Sequence, residues 1–235
     1  MLAPLSSTTA KAKVFNGERV TVDEARELYH LPLTELAILA DSRRRQKKAL
    51  AFDGQGNEIV TYIVDRNINY TNVCNVYCKF CAFYRTEKDD DHYVLTPEQI
   101  SAKIRELESI GGTQILMQGG HHPKLTIEYY ITLLQHIRSN HPSINIHGFS
   151  PPEFNHFAEV FHMTLEEVIL RFKEAGLGSI PGGGGEILVD EIRNRISPLK
   201  CDSNEWLEVM RIAHRNGQNR WHRIGVRPVR FWDPA

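Results

Sequence analysis

The period of the apolar positions changes several times along the chain, and each change marks an element. Leu33, Leu36, Ile38 and Leu39 precede the basic run Arg43 to Lys48. That pattern predicts an amphipathic helix ending on cations, which suit its carbonyl terminus. Ahead of it, the stretch from Thr21 to Glu24 forms a capping box for a short helix, with Pro32 separating the two. Residues 1–17 read as a loose polar segment. Ile59 to Val64 follows the turn AFDGQGN and is rich in β-branched residues, so it reads as the first strand.

Beyond that point the chain alternates. Thr96 to Gln99 caps a helix with Pro97 at its first position, and Ile100, Ile104, Leu107 and Ile110 form its apolar face. TQILMQGG is a strand running into glycines. Ile127, Tyr130, Ile131, Leu134 and Ile137 mark the next helix, and INIHGFS the third strand. Thr164 to Glu167 caps a helix faced by Val168, Ile169 and Phe172, after which GLGSIPGGGGE is a short fourth strand. Two further helices carry Leu188, Ile192 and Ile196, then Trp206, Val209, Met210 and Ala213. The alternation predicts an α/β fold with a parallel sheet and right-handed crossovers. No G-x-G-x-x-G follows the first strand, which favours a TIM-type β/α barrel over a dinucleotide fold. The cysteine loop, Gln118 to Pro123, His147 to Glu153, and Gly182 to Glu186 each follow a strand, so they share the face where such barrels build their sites.

With 41% hydrophobic and 24% charged residues, the composition is that of a soluble globular protein. A net charge of −1 gives no reason to expect nucleic acid or an anionic membrane as partner. The apolar runs are short and the amino terminus lacks a signal-peptide core, so no membrane span and no signal peptide are expected. Four cysteines, three of them clustered, suit a cytoplasmic metal or cluster role better than a disulfide framework.

The cluster lies in NYTNVCNVYCKFCAFYR, with Cys74, Cys78 and Cys81 spaced C-x3-C-x2-C. A structural zinc site wants four ligands, usually as two separated pairs, and Cys201 lies 120 residues past Cys81. A cubane iron–sulfur cluster on three thiolates leaves one iron open to another ligand, which fits an incomplete set. Ordinary buried cysteines, or a zinc site completed by a histidine such as His92, are the alternatives.

With an aromatic residue before its last cysteine, this spacing resembles the signature of the radical S-adenosylmethionine (SAM) superfamily. The segments VTYIVDRNINYTNVC, MQGGHHPKLTIEYY, IHGFSPPEF, IPGGGGEILVDEIRNRISP and DSNEWLEVMRIAHRNG together resemble the cyclic dehypoxanthine futalosine synthases, from about residue 18 to residue 217. Aminofutalosine synthases and the deazaflavin synthases of coenzyme F420 formation share the cysteine loop. The resemblance implies a helical extension over 1–57, a partial radical SAM barrel over 58–217 and an atypical tail over 218–235. It implies a [4Fe-4S] cluster on Cys74, Cys78 and Cys81, with SAM on the open iron and Phe80 beside the adenine. Gly119, Gly120, Ser150 and Glu186 are then expected to bind the cofactor, and His122, His147 and Glu153 to bind substrate or shuttle protons. Cys201 receives no ligand role. The implied enzyme takes hydrogen from the ribose of dehypoxanthine futalosine and closes a ring in menaquinone biosynthesis, with flavodoxin or ferredoxin as electron donor. The tail lacks the pattern of a fifth strand: it is expected to be irregular and exposed, to leave the barrel open after strand four, and to impair turnover. A non-catalytic iron–sulfur binding fragment is the reading from another class.

Overall fold

The structure, a computed structural model, describes residues 7–217. The expectation for the tail lies outside them. Contacts divide the chain into two units, Met1–Tyr62 and Ile63–Ala235.

In the first unit, α1 (Ser7–Asn16), α2 (Val22–Tyr29) and α3 (Leu33–Lys48) follow one another. Of the segment expected to be loose, Ser7–Asn16 is therefore a helix. Ten residues form a marginal helix alone, and tertiary ties hold this one: Ala10 is buried, Lys13 pairs with Glu24 at 2.7 Å, and Lys11 with Glu35 at 2.5 Å. Thr21 caps α2 as its sequence indicates. The basic run does end a helix, where Asp41 holds Arg44 and Arg45 at 2.8 and 2.7 Å. Ile59 to Val64 is not a strand: Val60 and Tyr62 are 89% and 87% exposed. A β-branched run becomes a strand only where a neighbour pairs with it and covers it.

Among the described residues, the second unit is built on three parallel strands. In chain order it has β1 (Asp65–Asn69), α4 (Pro97–Ser109), β2 (Gln114–Gln118), α5 (Ile127–Asn140), β3 (Asn145–Gly148), α6 (Pro151–Phe161), α7 (Leu165–Ala175), α8 (Asp190–Ile196) and α9 (Ser203–Arg215). The sheet order is β1-β2-β3, with Asp65 opposite Gln114 and Gln114 opposite Asn145. The expected fourth strand is reduced to a single parallel bridge between His147 and Ser179. Gly178 before Ser179 lacks a side chain and Pro181 after it lacks an N–H, so the pairing does not extend.

Alternation along the strands separates two faces. Ile68, Ile115, Met117 and Ile146 pack with Ile100, Ile104 and Leu107 of α4, Leu133, Leu134 and Ile137 of α5, and Val168 and Ile169 of α7. Asp65, Asn67, Gln114, Gln118, Asn145 and His147 take the alternate positions, so the polar sequence DRNIN pairs as a strand because only one of its faces is covered. Ile110, expected on the apolar face of α4, is exposed beyond its end.

Where α6 and α7 meet, Tyr130, Phe149, Phe154, Phe157 and Phe172 form a fully buried aromatic cluster. Phe149 lies 5.1 Å from Phe172, and Tyr130 lies 4.6 Å from Phe157. Phe149 has φ 59°, the left-handed region a bulky residue seldom occupies, and this turns the chain from β3 into α6. Between α4 and α5 runs a polar seam. The buried Ser101 Oγ lies 2.9 Å from His136 Nε2 and 3.0 Å from His141 Nε2, and His141 Nδ1 lies 3.0 Å from Glu108.

One expected apolar face is replaced by a buried cation. On α8, Ile192 is exposed and Arg193 is buried, donating to the carbonyls of Gly184, Ile187 and Cys201. Two of those carbonyls precede α8 and one follows it, and a guanidinium ties all three to the helix at once.

Because Phe172 touches four other rings with no exposure, Phe172→Ala should cost about 3–5 kcal/mol of unfolding free energy, read from urea denaturation.

Candidate functional site

The cysteine loop leaves β1 and is pinned at several points along its length. Val73 bridges Arg85, Thr71 bridges Val94, and the Cys74 N–H donates to the Arg85 carbonyl at 3.0 Å. Asn75 N–H donates to the His121 carbonyl, Cys81 N–H to Cys78, and Lys79 N–H to Ile196 at the end of α8. Tyr77, at φ 53°, makes the sharp turn into Cys78. Cys78 is buried, Cys74 and Cys81 are half-buried, and none of the four cysteines is in a disulfide. Burial raises the Cys78 thiol, Lys200 opposes that shift, and Cys74 and Cys81 add to it. The three sulfurs thus sense one another.

Gly119 and Gly120 are glycines for a packing reason. A methyl group on Gly119 would stand 2.5 Å from the Tyr70 ring, and one on Gly120 would stand 2.2 Å from the Val73 carbonyl and 2.9 Å from Cys74 Cβ. Both N–H groups are engaged within the protein, Gly119 with Glu153 and Gly120 with Thr71. Gly183 likewise sits where a methyl would collide with Gln118 and Ser150, and its carbonyl accepts from the Trp206 indole at 3.0 Å. The three loops that follow the strands and the glycine-rich loop after the Ser179 bridge therefore meet.

Glu153 is enclosed by the loops around it. It is 2% exposed, the third residue of α6, and Ser150 is its N-cap partner. Its carboxylate accepts from Tyr70 Oη at 2.9 Å, Gly119 N at 3.1 Å, and Ser150 N and Oγ at 2.7 Å each. Burial pushes it up to about 7, against those hydrogen bonds. Glu153 and Ser150 thus join loops.

The histidines divide. His122 is buried, its Nδ1 accepting from Lys124 N–H, and burial pushes it down. His147 lies on the polar face of β3, its Nδ1 2.6 Å from Ser179 Oγ, and burial lowers it while Asp65 opposes. His121 and His156, given no role from sequence, lie with their rings 4.9 Å apart and tilted by 32°, and burial with its neighbour's charge pushes His121 down to about 3. Glu186 takes Lys200 Nζ on both oxygens at 3.2 Å, and Lys200 also lies 5.5 Å over the Phe80 ring. Sequence reasoning missed Lys200, Arg193 and Tyr70, since only the folded chain brings them to the site. Cys201 lies apart, its thiol pushed up to about 11 by burial, under Arg193.

Among the described residues, no group of three His, Cys, Asp or Glu could hold a single metal ion. A set of three thiols on one loop suits a cubane cluster, which leaves one iron open, better than a structural zinc site, which wants four protein ligands. Three unpaired thiols on one pinned loop, close enough to perturb Cys78, with a cation nearby, fit that group.

A parallel β/α sheet with a three-thiol loop at the carboxyl end of its first strand defines an iron–sulfur class of protein. The chain belongs to the radical SAM superfamily, whose family model matches residues 68–233. Members of that superfamily are enzymes that use a [4Fe-4S] cluster and SAM. The chain is 42% identical over 207 residues to the cyclic dehypoxanthine futalosine synthase of Halalkalibacterium halodurans, covering 88% of this chain and 54% of that protein. It is 44% identical over 160 residues to the 5-amino-6-(D-ribitylamino)uracil–L-tyrosine 4-hydroxyphenyl transferase of Methanopyrus kandleri, covering 68% and 43%. The crystal structure of methylornithine synthase superposes with a TM-score of 0.61 at 19% identity, over 88% of this chain and 56% of that one, a likeness of fold. The chain spans about half the length of the curated relatives it matches.

A carboxyl whose folded value is raised contributes stability that is full below its unfolded value and is lost as pH rises through its folded value. The melting-temperature gap between the parent and Glu153→Gln should therefore narrow from about pH 5 to about pH 8, read by thermal unfolding.

Proposed function

We propose that this chain carries the radical SAM portion of a cyclic dehypoxanthine futalosine synthase. The observation that carries the proposal is the 42% identity to such an enzyme across 88% of the chain, cysteine loop included. Cys74, Cys78 and Cys81 would hold a [4Fe-4S] cluster, and Phe80 would lie beside the adenine of SAM. When bound, that pair supplies abstraction of a hydrogen atom from the substrate. The protein's part is to set the substrate C–H beside the reacting atom and to keep water out.

Glu186, half-exposed at the end of the glycine-rich loop, is assigned to accept from a ribose hydroxyl. His147 and His122 are assigned to the substrate side, where neutral imidazoles can take the proton released when an aromatic ring is restored. Glu153, Ser150, Gly119 and Gly120 are assigned to holding the loops. Flavodoxin or ferredoxin is the proposed electron donor, and a reducing cytoplasm suits three unpaired thiols. No helix among the described residues is long and apolar enough to cross a membrane.

A second reading, transfer of a hydroxyphenyl group from tyrosine to 5-amino-6-(D-ribitylamino)uracil, draws on the 44% identity to that transferase, an enzyme acting on those compounds. Anaerobic reconstitution followed by two assays separates the readings. Product from dehypoxanthine futalosine supports the first, and product from tyrosine and the uracil supports the second. SAM left intact on reduction would leave a non-catalytic iron–sulfur fragment. Iron loading should be lost in Cys74→Ala, Cys78→Ala and Cys81→Ala and kept in Cys201→Ala, measured by iron and sulfide content.

A further inference from the structure

The cysteine loop and the glycine-rich loop come from distant parts of the sequence, and one cation touches both. The Lys200 side chain is 10% exposed. Its stem lies against Gly184, where an added methyl would meet Cε at 3.3 Å. Its ammonium meets both oxygens of Glu186 at 3.2 Å and stands 5.5 Å over the Phe80 ring. Phe80 is 50% exposed and the Glu186 side chain 44%, so neither is held in place by burial. Glu186 follows four glycines, which leave its backbone freer than most. Two half-exposed groups on two separate loops thus share one largely enclosed cation.

We infer that Lys200 is a positioning residue, latching Phe80 of the cysteine loop to Glu186 of the glycine-rich loop so that ring and carboxylate face one ligand in a fixed geometry. That the ligand is SAM rests on the proposed function; the latch itself does not. An ammonium does both jobs because it can lie over an aromatic face while donating to a carboxylate. A methionine of similar length would keep the packing along Gly184 and lose both polar ties. An arginine would keep them.

The latch is read first in the full chain without a cluster, by hydrogen–deuterium exchange. In Lys200→Met, a peptide covering residues 76–84 should exchange about two- to fivefold faster, the range expected for a cation–π pair at a part-exposed site. A peptide from α5 should be unchanged, and Lys200→Arg should restore protection. Adding Lys200→Met to Phe80→Leu should bring no further increase. Unchanged exchange at 76–84, or a rise shared equally by α5, overturns the latch. In the reconstituted protein, equilibrium dialysis should show SAM affinity weakened by a similar factor in Lys200→Met at unchanged iron content, and recovered in Lys200→Arg. Unaltered SAM affinity overturns the positioning role. Should the parent hold iron and bind no SAM, the proposed function fails, and the exchange result alone then decides for or against the latch.

Discussion

One buried carboxylate sets the height of three loops. Glu153 accepts hydrogen bonds from the residue after β1, the residue after β2 and the cap after β3, all within 3.1 Å. Tyr70 and Gly119 face the same oxygen, so the start of the cysteine loop and the start of the glycine turn are fixed against each other. Ser150 takes the other oxygen and fixes α6 to both. A buried carboxylate is costly unless its lone pairs are filled, and here four donors fill them. An amide at that position has one acceptor oxygen, so a donor on one side would meet another donor. This explains how a three-stranded sheet with short strands presents its loops in one arrangement.

The close approach of glycines is the second half of the same constraint. With Tyr70 held by Glu153, its ring fills the space beside Gly119, and Val73 and Cys74 fill the space beside Gly120. The thiol loop is then packed onto backbone from β2, with no side chain between. Gly183 and Gly184 approach Gln118, Ser150 and Pro152 in the same way, closing the other side. The site is rigid where backbone meets backbone, and its adjustable parts are the half-exposed groups at the rim.

What the sequence revealed depended on whether a signal was local. Capping boxes at Thr21, Thr96 and Thr164 all stand where their spacing put them, because such a box needs only four consecutive residues. The three cysteines were legible for the same reason. The α6 helix was not foreseen, since Pro151 and Pro152 fall in the loop expected from His147 to Glu153, although proline is welcome in a first helical turn. The Ile59–Val64 run outranked DRNIN on β propensity, yet the sheet took DRNIN, because pairing with β2 decides and propensity does not. Arg193 in place of an apolar face, and the meeting of Tyr70 with Glu153 across 83 positions, are tertiary facts with no local trace.

The polar seam of α4 and α5 has an order of its own. Glu108, while ionised, can only accept, so Nδ1 of His141 carries the hydrogen between them. With that ring neutral, its Nε2 offers only a lone pair, and the Ser101 hydroxyl must point toward it. Ser101 then has only lone pairs left for His136, whose Nε2 must donate. Every hydrogen in the chain points the same way, from His136 through Ser101 and His141 to the acid. A half-exposed glutamate at the last turn of one helix thereby dictates the tautomer of a histidine three contacts away on the next.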